Sequence, residues 1–587
     1  MPARFSKLFV EYVLYIAILA GLAAFLLYPI GLTVRGGFAS DPATGSGFTL
    51  EHIRMVFADP VLVEGLVNAF AIAVWTTTLS IVVALPLAIL SANFKFPGKT
   101  LLNACVLVPL ILPPFVGAIG AHALLGRAGS LNSLLGTEFD FFGSARFWGV
   151  VIVQALHLYP IIYLNATASL ANLDPALDES AENLGAGPFR RFFKITLPLI
   201  RPGLFAGATI VFIWAFTELG TPLMFDFTTV TPVQIFYGLK EVENSAEPYA
   251  LTVVLLIAAV LLYLVGKGLF GKRGYAMYAK ASRAGGEIAL PWWGGLLATW
   301  FFAGVTVLAV LPHFGVVLTA LTEPGQWYKT VLPTSLTLDN FDQALTHPDA
   351  FGSIRNSLQL AGIAMILDIG VGLMIGYLLV RSRVRGKAVL DALSMLPLAV
   401  PGLVMAFGYV AMTLRWPFGG DLTIFGVTIP AFLDGTIFDL EVFGAAPNPF
   451  PLLIIAYAVR RLPYIVRSTV AGLEQTSGEL EEAALNLGAN RVTAIRKIIV
   501  PLIMANLIAG GLLVFSFSML EVSDSLILAQ QELHYPITKR IFAFTMRLGD
   551  GPFIASAMGV WGMTLLALTL FGASLLLGKK LGAIFRV

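Results

Sequence analysis

The sequence contains one cysteine, Cys105, and only 12% of its 587 residues are charged. A single cysteine excludes an internal disulfide and any metal cage made of cysteine ligands. The six histidines are scattered, with no HExxH sequence and no close His/Cys spacing, so we expect no metal site. A soluble domain carries roughly twice this fraction of charged residues, and the shortage of charge therefore argues against a soluble protein.

A nucleotide-binding loop is also missing from the sequence. The nearest match, FPGKT at 96–100, has Asn93 where a phosphate-binding loop requires glycine, and an apolar segment follows it. No set of His, Asp or Ser residues clusters at one membrane depth, so we expect no catalytic residue and no cofactor bound by this chain. These absences exclude an ATPase and give no support to a membrane-embedded enzyme.

Apolar residues are abundant, at 57% of the chain, and they fall in long runs. Runs of about 20 apolar residues are long enough to cross a bilayer as α-helices. The sequence therefore predicts an all-α polytopic membrane protein with about 12 transmembrane helices, embedded in the lipid bilayer. The predicted spans are 11–33, 66–92, 101–125, 147–168, 204–226, 248–270, 294–320, 353–380, 388–413, 449–468, 504–529 and 553–577.

Lysine and arginine are distributed unevenly among the segments that connect these spans. The segment RSRVRGK at 381–387 is strongly basic, and we count Arg460 and Arg461 on the same basic side. Because short basic loops stay in the cytoplasm, the pattern predicts that both chain termini are cytoplasmic.

Two polar segments on the predicted cytoplasmic side share a spaced pattern. The first reads ESAENLGAGPFRRFFKITLP, and the second, 303 positions later, reads EAALNLGANRVTAIRKIIVP. A polar, helix-forming pattern repeated in this way indicates a surface that a partner outside the membrane contacts twice. The shared residues are Glu179, Ala181, Gly185, Ile195 and Pro198 in the first copy and Glu482, Ala484, Gly488, Ile498 and Pro501 in the second.

Each patterned segment has the composition of two short helices joined at a glycine. Acidic residues open the first helix, where the helix dipole favours them. Gly185 and Gly488 suit the left-handed conformation that ends such a helix. A second short helix with basic residues should follow, and Pro198 and Pro501 should restart the chain toward the next span.

The patterned segments belong to a longer internal repeat. Asn68 matches Asn356 at an offset of 288, and the offset becomes 303 from Pro160 and Pro463 onward. Six spans in each half, with the same orientation, predict parallel repeats about an axis along the membrane normal. The predicted units are a first half at 1–270, a cytoplasmic linker at 271–292 and a second half at 293–587.

The patterned segments resemble the EAA loops of type I ABC importer permeases, which are fed by extracytoplasmic binding proteins. The family pattern is EAA, three residues, Gly, nine residues and I-x-L-P, and the two copies depart from it at Ser180 and Val500. The fused layout, with FTELGTPLMFDF after the first loop, is most similar to the ferric-iron permeases of this superfamily. The resemblance implies a type I ABC importer transmembrane domain with coupling loops at 174–203 and 474–506.

The resemblance also implies partners and a location. A separate homodimeric cytoplasmic ABC ATPase would bind ATP and Mg and contact one coupling loop with each subunit. A binding protein would deliver the solute outside, and no nucleic acid would take part. One copy of this fused pseudo-dimer would serve each complex, in a bacterial inner membrane.

Matched intramembrane residues are candidates for the translocation pathway. Glu218 and Glu521 share the offset of 303, with Asp524 close to the second, and a charge at membrane depth needs protein or water around it. These carboxylates either line the pathway or cap backbone N–H groups where a helix is interrupted. Prolines that kink spans either line a cavity or serve packing. Those assigned to the pathway are Pro109, Pro113, Pro397 and Pro401.

The predicted function is solute import by alternating access, with ferric iron as the leading solute. Thiamine, polyamines, phosphonates and other small solutes of the same ABC class stay open. An ion-coupled secondary transporter is the alternative from a different class, although it would not need two large cytoplasmic loops with this spacing.

Overall fold

The computed structural model describes residues 2–41, 46–111, 113–142, 146–171, 173–239, 245–268, 287–424, 427–433, 440, 442 and 448–577. Most of the predicted linker at 271–292 lies outside these residues, and so does the chain end after 577. The described residues are mostly α-helical. An apolar segment in a bilayer must satisfy its backbone hydrogen bonds internally, and a helix does so within one segment.

The helices of the first half are α1 to α14. A π-helical turn at Ala23–Leu27 joins the first two, and a short strand, β1 (Phe94–Lys95), pairs in parallel with β2 (Ile288–Ala289). The helices are α1 (Pro2–Leu22), α2 (Tyr28–Phe38), α3 (Glu51–Ala58), α4 (Pro60–Asn93), α5 (Lys99–Cys105), α6 (Pro114–Leu125), α7 (Ser130–Leu135), α8 (Phe147–Ala171), α9 (Pro175–Asn183), α10 (Pro188–Arg191), α11 (Leu197–Thr217), α12 (Gly220–Met224), α13 (Thr231–Gly238) and α14 (Glu247–Gly266).

The helices of the second half are α15 to α27. A small antiparallel pair, β3 (Leu422–Ile424) and β4 (Val427–Ile429), lies between α19 and α20. The helices are α15 (Trp292–Leu321), α16 (Asp339–Thr346), α17 (Pro348–Val380), α18 (Lys387–Ala399), α19 (Gly402–Thr413), α20 (Phe450–Glu474), α21 (Glu479–Asn486), α22 (Arg491–Ala494), α23 (Val500–Leu502), α24 (Met504–Met519), α25 (Ser523–Leu528), α26 (Ile537–Thr545) and α27 (Gly551–Leu577).

Eight helices in the described residues are long and apolar enough to cross a membrane, and three bent helix pairs raise the number to eleven if each pair is one span. They coincide with eleven of the twelve predicted spans. The remaining predicted span, 449–468, forms α20, a helix of 25 residues that carries Arg460 and Arg461 near its middle. The prediction of an all-α polytopic membrane fold is confirmed.

Two of the bent pairs break at the matched prolines. α18 and α19 are bent by 104° with Pro401 between them, and the α5 and α6 segments are bent by 100° with Pro113 before α6. Pro109 lies in the 3-10 turn Val108–Ile111, and Pro397 lies inside α18. Proline removes a backbone donor and clashes with the preceding turn, and the spans are interrupted at the matched positions of Pro113 and Pro401.

Matched asparagines show that the repeat extends to polar contacts. Asn68 Nδ2 donates to the Thr229 carbonyl at 2.8 Å, and Asn356 Nδ2 donates to the Leu533 carbonyl at 2.9 Å. In each half, therefore, the long helix that carries the asparagine holds the loop that follows the interrupted fifth span.

The first helices of the two halves are exchanged. α2 packs against α19 of the second half, and α15 packs against α6 of the first half. A Cβ placed on Gly120 of α6 would lie 2.6 Å from the Val316 amide nitrogen, and one placed on Gly408 of α19 would lie 2.7 Å from the Pro29 carbonyl oxygen. Backbones meet directly at both crossings, as small residues allow in membranes. The two halves are therefore interlocked.

We expect Gly120→Ala to destabilise the protein, because its methyl group would collide with backbone atoms of α15 that cannot move aside. Overpacking of this kind costs about 1–3 kcal/mol. Thermal unfolding of the detergent-purified protein measures the loss. Gly304→Ala on α15 is the matched control, since a Cβ there meets no atom within 4 Å. An unchanged melting temperature for Gly120→Ala would contradict the close crossing.

Candidate functional site

The first patterned segment folds as α9, a tight turn and α10. Asp174 accepts a hydrogen bond from the Ala176 amide at 3.0 Å and thereby caps α9, which carries Glu179 and Ala181. Gly185 has a φ of +82°, so α9 ends in the left-handed conformation that favours glycine. The chain therefore forms the helix, glycine and helix expected from its local composition.

The second patterned segment repeats this geometry. α21 carries Glu482 and Ala484 and ends at Gly488, whose φ is +89°. The Ala489 amide donates to the Ala484 carbonyl at 3.0 Å, which satisfies one of the free carbonyls at the helix end. Residues 184–187 and 487–490 are called the glycine turns below.

Pro198 lies at the start of the next span, as the sequence predicts, but no break separates that span from the second short helix. α10 continues through a π-helical turn, Phe192–Thr196, which contains Ile195, directly into α11. Pro198 is the second residue of α11. A proline in the first turn of a helix needs no backbone donor, and the helix therefore runs past it.

Pro501 also lies within a helical turn, and the chain bends only beyond it. The π-helical turn Ile495–Ile499, which contains Ile498, leads into α23. A bend of 77° follows between Leu502 and α24. The two copies therefore enter their next spans differently, although their sequence patterns match.

Exposed apolar side chains flank both glycine turns, and the sequence analysis missed them. Leu184 and Leu487 are 88% and 89% exposed, and Phe189 and Val492 are exposed as well. The two leucines lie outside the helices that could span a membrane. Exposed apolar side chains outside a membrane span are candidates for contact with a partner protein. The offset of 303 aligns Leu184 with Leu487 and Phe189 with Val492 in the sequence, but this alignment does not show that the side chains are exposed.

The two glycine turns are attached to the protein differently. Arg191 forms ion pairs within its own segment, with Asp178 at 3.3 Å and Glu182 at 2.5 Å. Arg491 instead pairs with Glu11 of α1 at 2.7 Å. The second turn is therefore fixed to the N-terminal helix, whereas the first is supported by its own side chains.

A cavity of about 210 Å³ lies between the two halves. His157, near the middle of α8, and Arg460, near the middle of α20, both lie on its wall. The cavity therefore sits deep within these helices. The predicted pathway residues on its wall are Glu218, Glu521, Pro113, Pro397 and Pro401.

The other two predicted pathway residues lie just behind the wall. His157 Nδ1 is 2.8 Å from the Pro109 carbonyl oxygen, and since a carbonyl only accepts, Nδ1 donates. Asp524 is buried and lies 3.7 Å from Arg460. Pro109 and Asp524 therefore do not line the cavity themselves, but each contacts a side chain that does.

Glu218 is both a helix cap and a cavity residue. α11 ends at Thr217, α12 begins at Gly220, and Glu218 Oε2 accepts a hydrogen bond from the Thr221 amide at 2.8 Å. A carboxylate stabilises the free amides at a helix start. The two interpretations offered for this residue from the sequence are thus compatible.

Glu521 is held by two arginines that the sequence analysis assigned to the cytoplasmic side. Arg461 Nη2 donates to Glu521 Oε2, and Arg460 Nη1 lies 3.3 Å from Glu521 Oε1. That assignment was wrong, because both arginines lie within α20 beside the cavity. Two basic residues inside an otherwise apolar helix were the available signal, since such residues face protein or water.

Known proteins similar to this chain are transport permeases. The ferric transport system permease protein FbpB of Actinobacillus pleuropneumoniae is 27% identical over 93% of this chain and 75% of that protein. The Fe(3+)-transport system permease protein FbpB 2 of Haemophilus influenzae is 24% identical over 84% of this chain and 86% of that protein. The molybdenum transport system permease protein ModB of Escherichia coli is 32% identical over 29% of this chain and 74% of that protein.

Among solved structures, a bacterial ABC transporter involved in the import of the acidic polysaccharide alginate matches with a TM-score of 0.38. That match has 16% identity and covers 46% of this chain and 98% of the other.

The family model of the binding-protein-dependent transport system inner membrane component matches this chain twice, at residues 84–273 and 368–574. Each matched segment contains one glycine turn, and one falls in each half. The two segments together cover more than half of the chain. The chain therefore belongs to the family of binding-protein-dependent transport system inner membrane components, as a fused ABC transporter permease.

Proposed function

We propose that this permease is the membrane subunit of an ATP-driven importer that moves ferric iron from an extracytoplasmic binding protein into the cytoplasm. The observation that carries the proposal is the pair of glycine turns, each with an exposed leucine at its tip. Two matched, exposed leucines outside the membrane spans do not stabilise the permease on its own. A partner protein with two apolar grooves would bury them.

The partner that fits these turns is a homodimeric cytoplasmic ATPase, which binds ATP and Mg itself. Leu184 and Leu487 occupy the same position in the two copies and have nearly the same exposure, which suits two identical grooves. ATP-driven closure of the ATPase would bring the grooves, and with them the turns, closer together. Docking to a cytoplasmic ATPase requires both turns to lie on the cytoplasmic side of a bacterial inner membrane, and we propose that both chain termini lie on that side as well.

Alternating access is the mode of transport that the interior favours. The broken spans around Pro113 and Pro401 face the cavity between the halves, and their freed backbone groups are tolerated where they meet protein or water. Because the first helices are exchanged, movement of one half carries a helix of the other with it. A displacement of the glycine turns would therefore move the helices that line the cavity.

Ferric iron is the solute that the comparisons favour. Three relatives that match 84–93% of this chain are named ferric or Fe(3+) permeases, whereas a probable ABC transporter permease without a solute in its name matches 75% and the molybdenum relative matches 29%. A cavity of about 210 Å³ is smaller than the roughly 300–1,000 Å³ of pockets for drug-sized organic molecules. This size supports a small inorganic ion over thiamine or a polyamine.

The double variant Leu184→Asp/Leu487→Asp is expected to lose its ATPase. Charged residues at the centre of an apolar contact remove a hot spot worth about 2 kcal/mol or more, which weakens binding more than tenfold. The measurement is copurification of the coexpressed ATPase with the tagged permease, together with uptake of radioactive ferric iron by proteoliposomes that enclose ATP, with the iron-loaded binding protein added outside.

Leu548→Asp is the matched control, because Leu548 is also almost fully exposed but lies in the loop between α26 and α27. It should keep both the ATPase and uptake. Retention of the ATPase by the double variant would contradict the proposed docking. Ion-gradient-driven uptake by the permease without any ATPase would instead support the secondary-transporter alternative.

A further inference from the structure

The matched glutamates Glu218 and Glu521 have different surroundings, although the repeat relates them. Glu521 is only 3% exposed and has Arg460 and Arg461 as ion-pair partners. Its charge is therefore neutralised within the second half. Removing either arginine would leave the buried Glu521 with a single ion-pair partner.

Glu218 has no such partners. The offset of 303 places His157 and Leu158 where the second half has Arg460 and Arg461. Within the part of the chain that the structure describes, no Lys or Arg side chain forms an ion pair with Glu218. Its hydrogen bond comes from the Thr221 amide, and its side chain is partly exposed on the cavity wall.

The opposite wall does not repel a cation. Glu521 pairs with both arginines, and Asp524 lies 3.7 Å from Arg460, so two carboxyl groups face the two guanidinium groups. The basic residues of this wall are therefore offset within it. Among the described residues of the cavity wall, Glu218 is the carboxyl group without a basic partner, and a carboxylate at membrane depth is costly unless a positive group joins it.

The chemistry of this wall selects a class of ligand. A carboxylate oxygen is the ligand that hard cations prefer. The cavity has room for a small ion with several waters, since one water takes about 30 Å³ of liquid volume. Among the described residues, no group of three or more His, Cys, Asp or Glu side chains could hold a metal ion. A cation at Glu218 would therefore be in passage and largely hydrated.

We propose that Glu218 alone of the matched pair contacts a hard, multiply charged metal cation as it crosses the cavity, and that Glu521 serves as the internal counter-ion of the arginines. The proposal deepens the proposed function and rests on it for the direction of transport. It makes the two halves of the pathway chemically unequal. The first half supplies the ligand, and the second half supplies a wall whose charges are paired.

Trp214 also lines the cavity and provides a direct probe of binding. Terbium(III) is a hard trivalent cation whose emission is sensitised by a nearby indole. In the detergent-purified permease, excitation of tryptophan should give a terbium signal that Trp214→Phe removes, which identifies the cavity as its source. Glu218→Gln should lower this cavity signal at least tenfold, and Glu218→Asp should retain part of it.

The matched variant is Arg461→Gln/Glu521→Gln, which removes one positive and one negative charge from the opposite wall together, and it should keep the terbium signal in the protein that remains folded. In proteoliposomes with the ATPase and the binding protein, Glu218→Gln should lower ferric uptake at least tenfold. Its ATP hydrolysis, stimulated by the binding protein, should stay within twofold of wild type. This separation of uptake from hydrolysis is not expected of a residue that only caps α12.

The outcomes separate the two proposals. A terbium signal that depends on Glu218, in a wild-type protein that does not transport ferric iron, would uphold the cation contact and refute ferric iron as the solute. Ferric uptake by wild type, with uptake and terbium signal both unchanged in Glu218→Gln, would overturn the cation contact. A parallel loss of uptake and ATP hydrolysis in Glu218→Gln, with the terbium signal kept, would reduce Glu218 to a structural cap and also overturn it.

Discussion

A permease carrying Gly185→Val and Gly488→Val is expected to fold and insert normally but to lose ATP-driven uptake. Both glycines have φ near +85°, at +82° and +89°, where a side chain costs roughly 1–2 kcal/mol per residue. A Cβ at either position meets no atom within 4 Å, so the strain is relieved by local refolding of the exposed turn. Leu184 and Leu487 then leave the positions in which a partner would contact them.

The size of the effect follows from the coupling between ATPase and permease. Coupling free energies between sites are typically about 1–3 kcal/mol, which corresponds to a change of roughly 5–150-fold. Uptake in proteoliposomes should fall by a factor in this range, whereas the melting temperature of the purified permease should change little. ATP hydrolysis should continue without a matching rate of uptake.

Gly187→Val separates the effect of backbone conformation from that of added bulk. Gly187 lies two residues after Gly185, has a φ of −67°, and also has open space around a Cβ. Any residue adopts this conformation, and Gly187→Val should transport close to the wild-type rate. Wild-type uptake by the Gly185/Gly488 double variant would contradict the coupling role. Equal inactivation by Gly187→Val would show that bulk, and not φ, disables the turn.

The glycine turns were predictable from sequence because local rules determine them. A helix that ends in a left-handed residue needs glycine at that position, and the repeat supplied two independent copies of the pattern. The interruptions at Pro113 and Pro401 were expected for a related reason, since proline removes a backbone donor and weakens a helix. Which prolines would break a span was not predictable, because Pro397 lies inside α18 without interrupting it. The exposure of Leu184 and Leu487 was not predictable either, because an isolated leucine in a sequence does not reveal which side chains cover it.

The position of Arg460 and Arg461 could not be derived from charge counting. The rule that basic residues stay in the cytoplasm assigns each Lys or Arg to one side of the membrane from its position in the sequence alone. It does not register that α20 continues for 25 residues around these arginines or that Glu521, sixty residues away, neutralises one of them. Exchange of the first helices escaped prediction in the same way, since α2 meets α19 across more than 350 residues of sequence.

Fusion of two related halves into one chain allows matched positions to diverge. Arg460 stands opposite His157 in the repeat, and Arg491 stands opposite Pro188. The first difference makes the cavity wall unequal, and the second ties only one glycine turn to α1 through Glu11. A dimer of identical chains would have to carry each change twice. The cavity therefore has one wall with an unpaired carboxyl group and one wall whose charges are paired. Two identical subunits related by a twofold axis would give two equal walls.

Arg461→Gln is expected to destabilise the permease strongly, because Glu521 would keep only the longer contact to Arg460 at 3.3 Å. Breaking a buried ion pair by removing one partner costs about 3–5 kcal/mol, since the other charge is left uncompensated. The loss is measured as thermal unfolding and as the yield of monodisperse protein in detergent. In the double variant Arg461→Gln/Glu521→Gln both charges are replaced by amides, and most of the stability should return.

Arg467→Gln is the matched control on the same helix. Arg467 pairs with Asp391 at 3.3 Å, but their side chains are 50% and 40% exposed, and a pair in contact with solvent contributes at most about 1 kcal/mol. If Arg461→Gln costs no more than Arg467→Gln, the ion pair with Glu521 does not neutralise a buried charge. The second-half wall would then carry a charge of its own, and Glu521 would compete with Glu218 for any cation in the cavity. The melting temperature of the Arg461→Gln variant thus shows whether one wall of the cavity or both carry an unpaired charge.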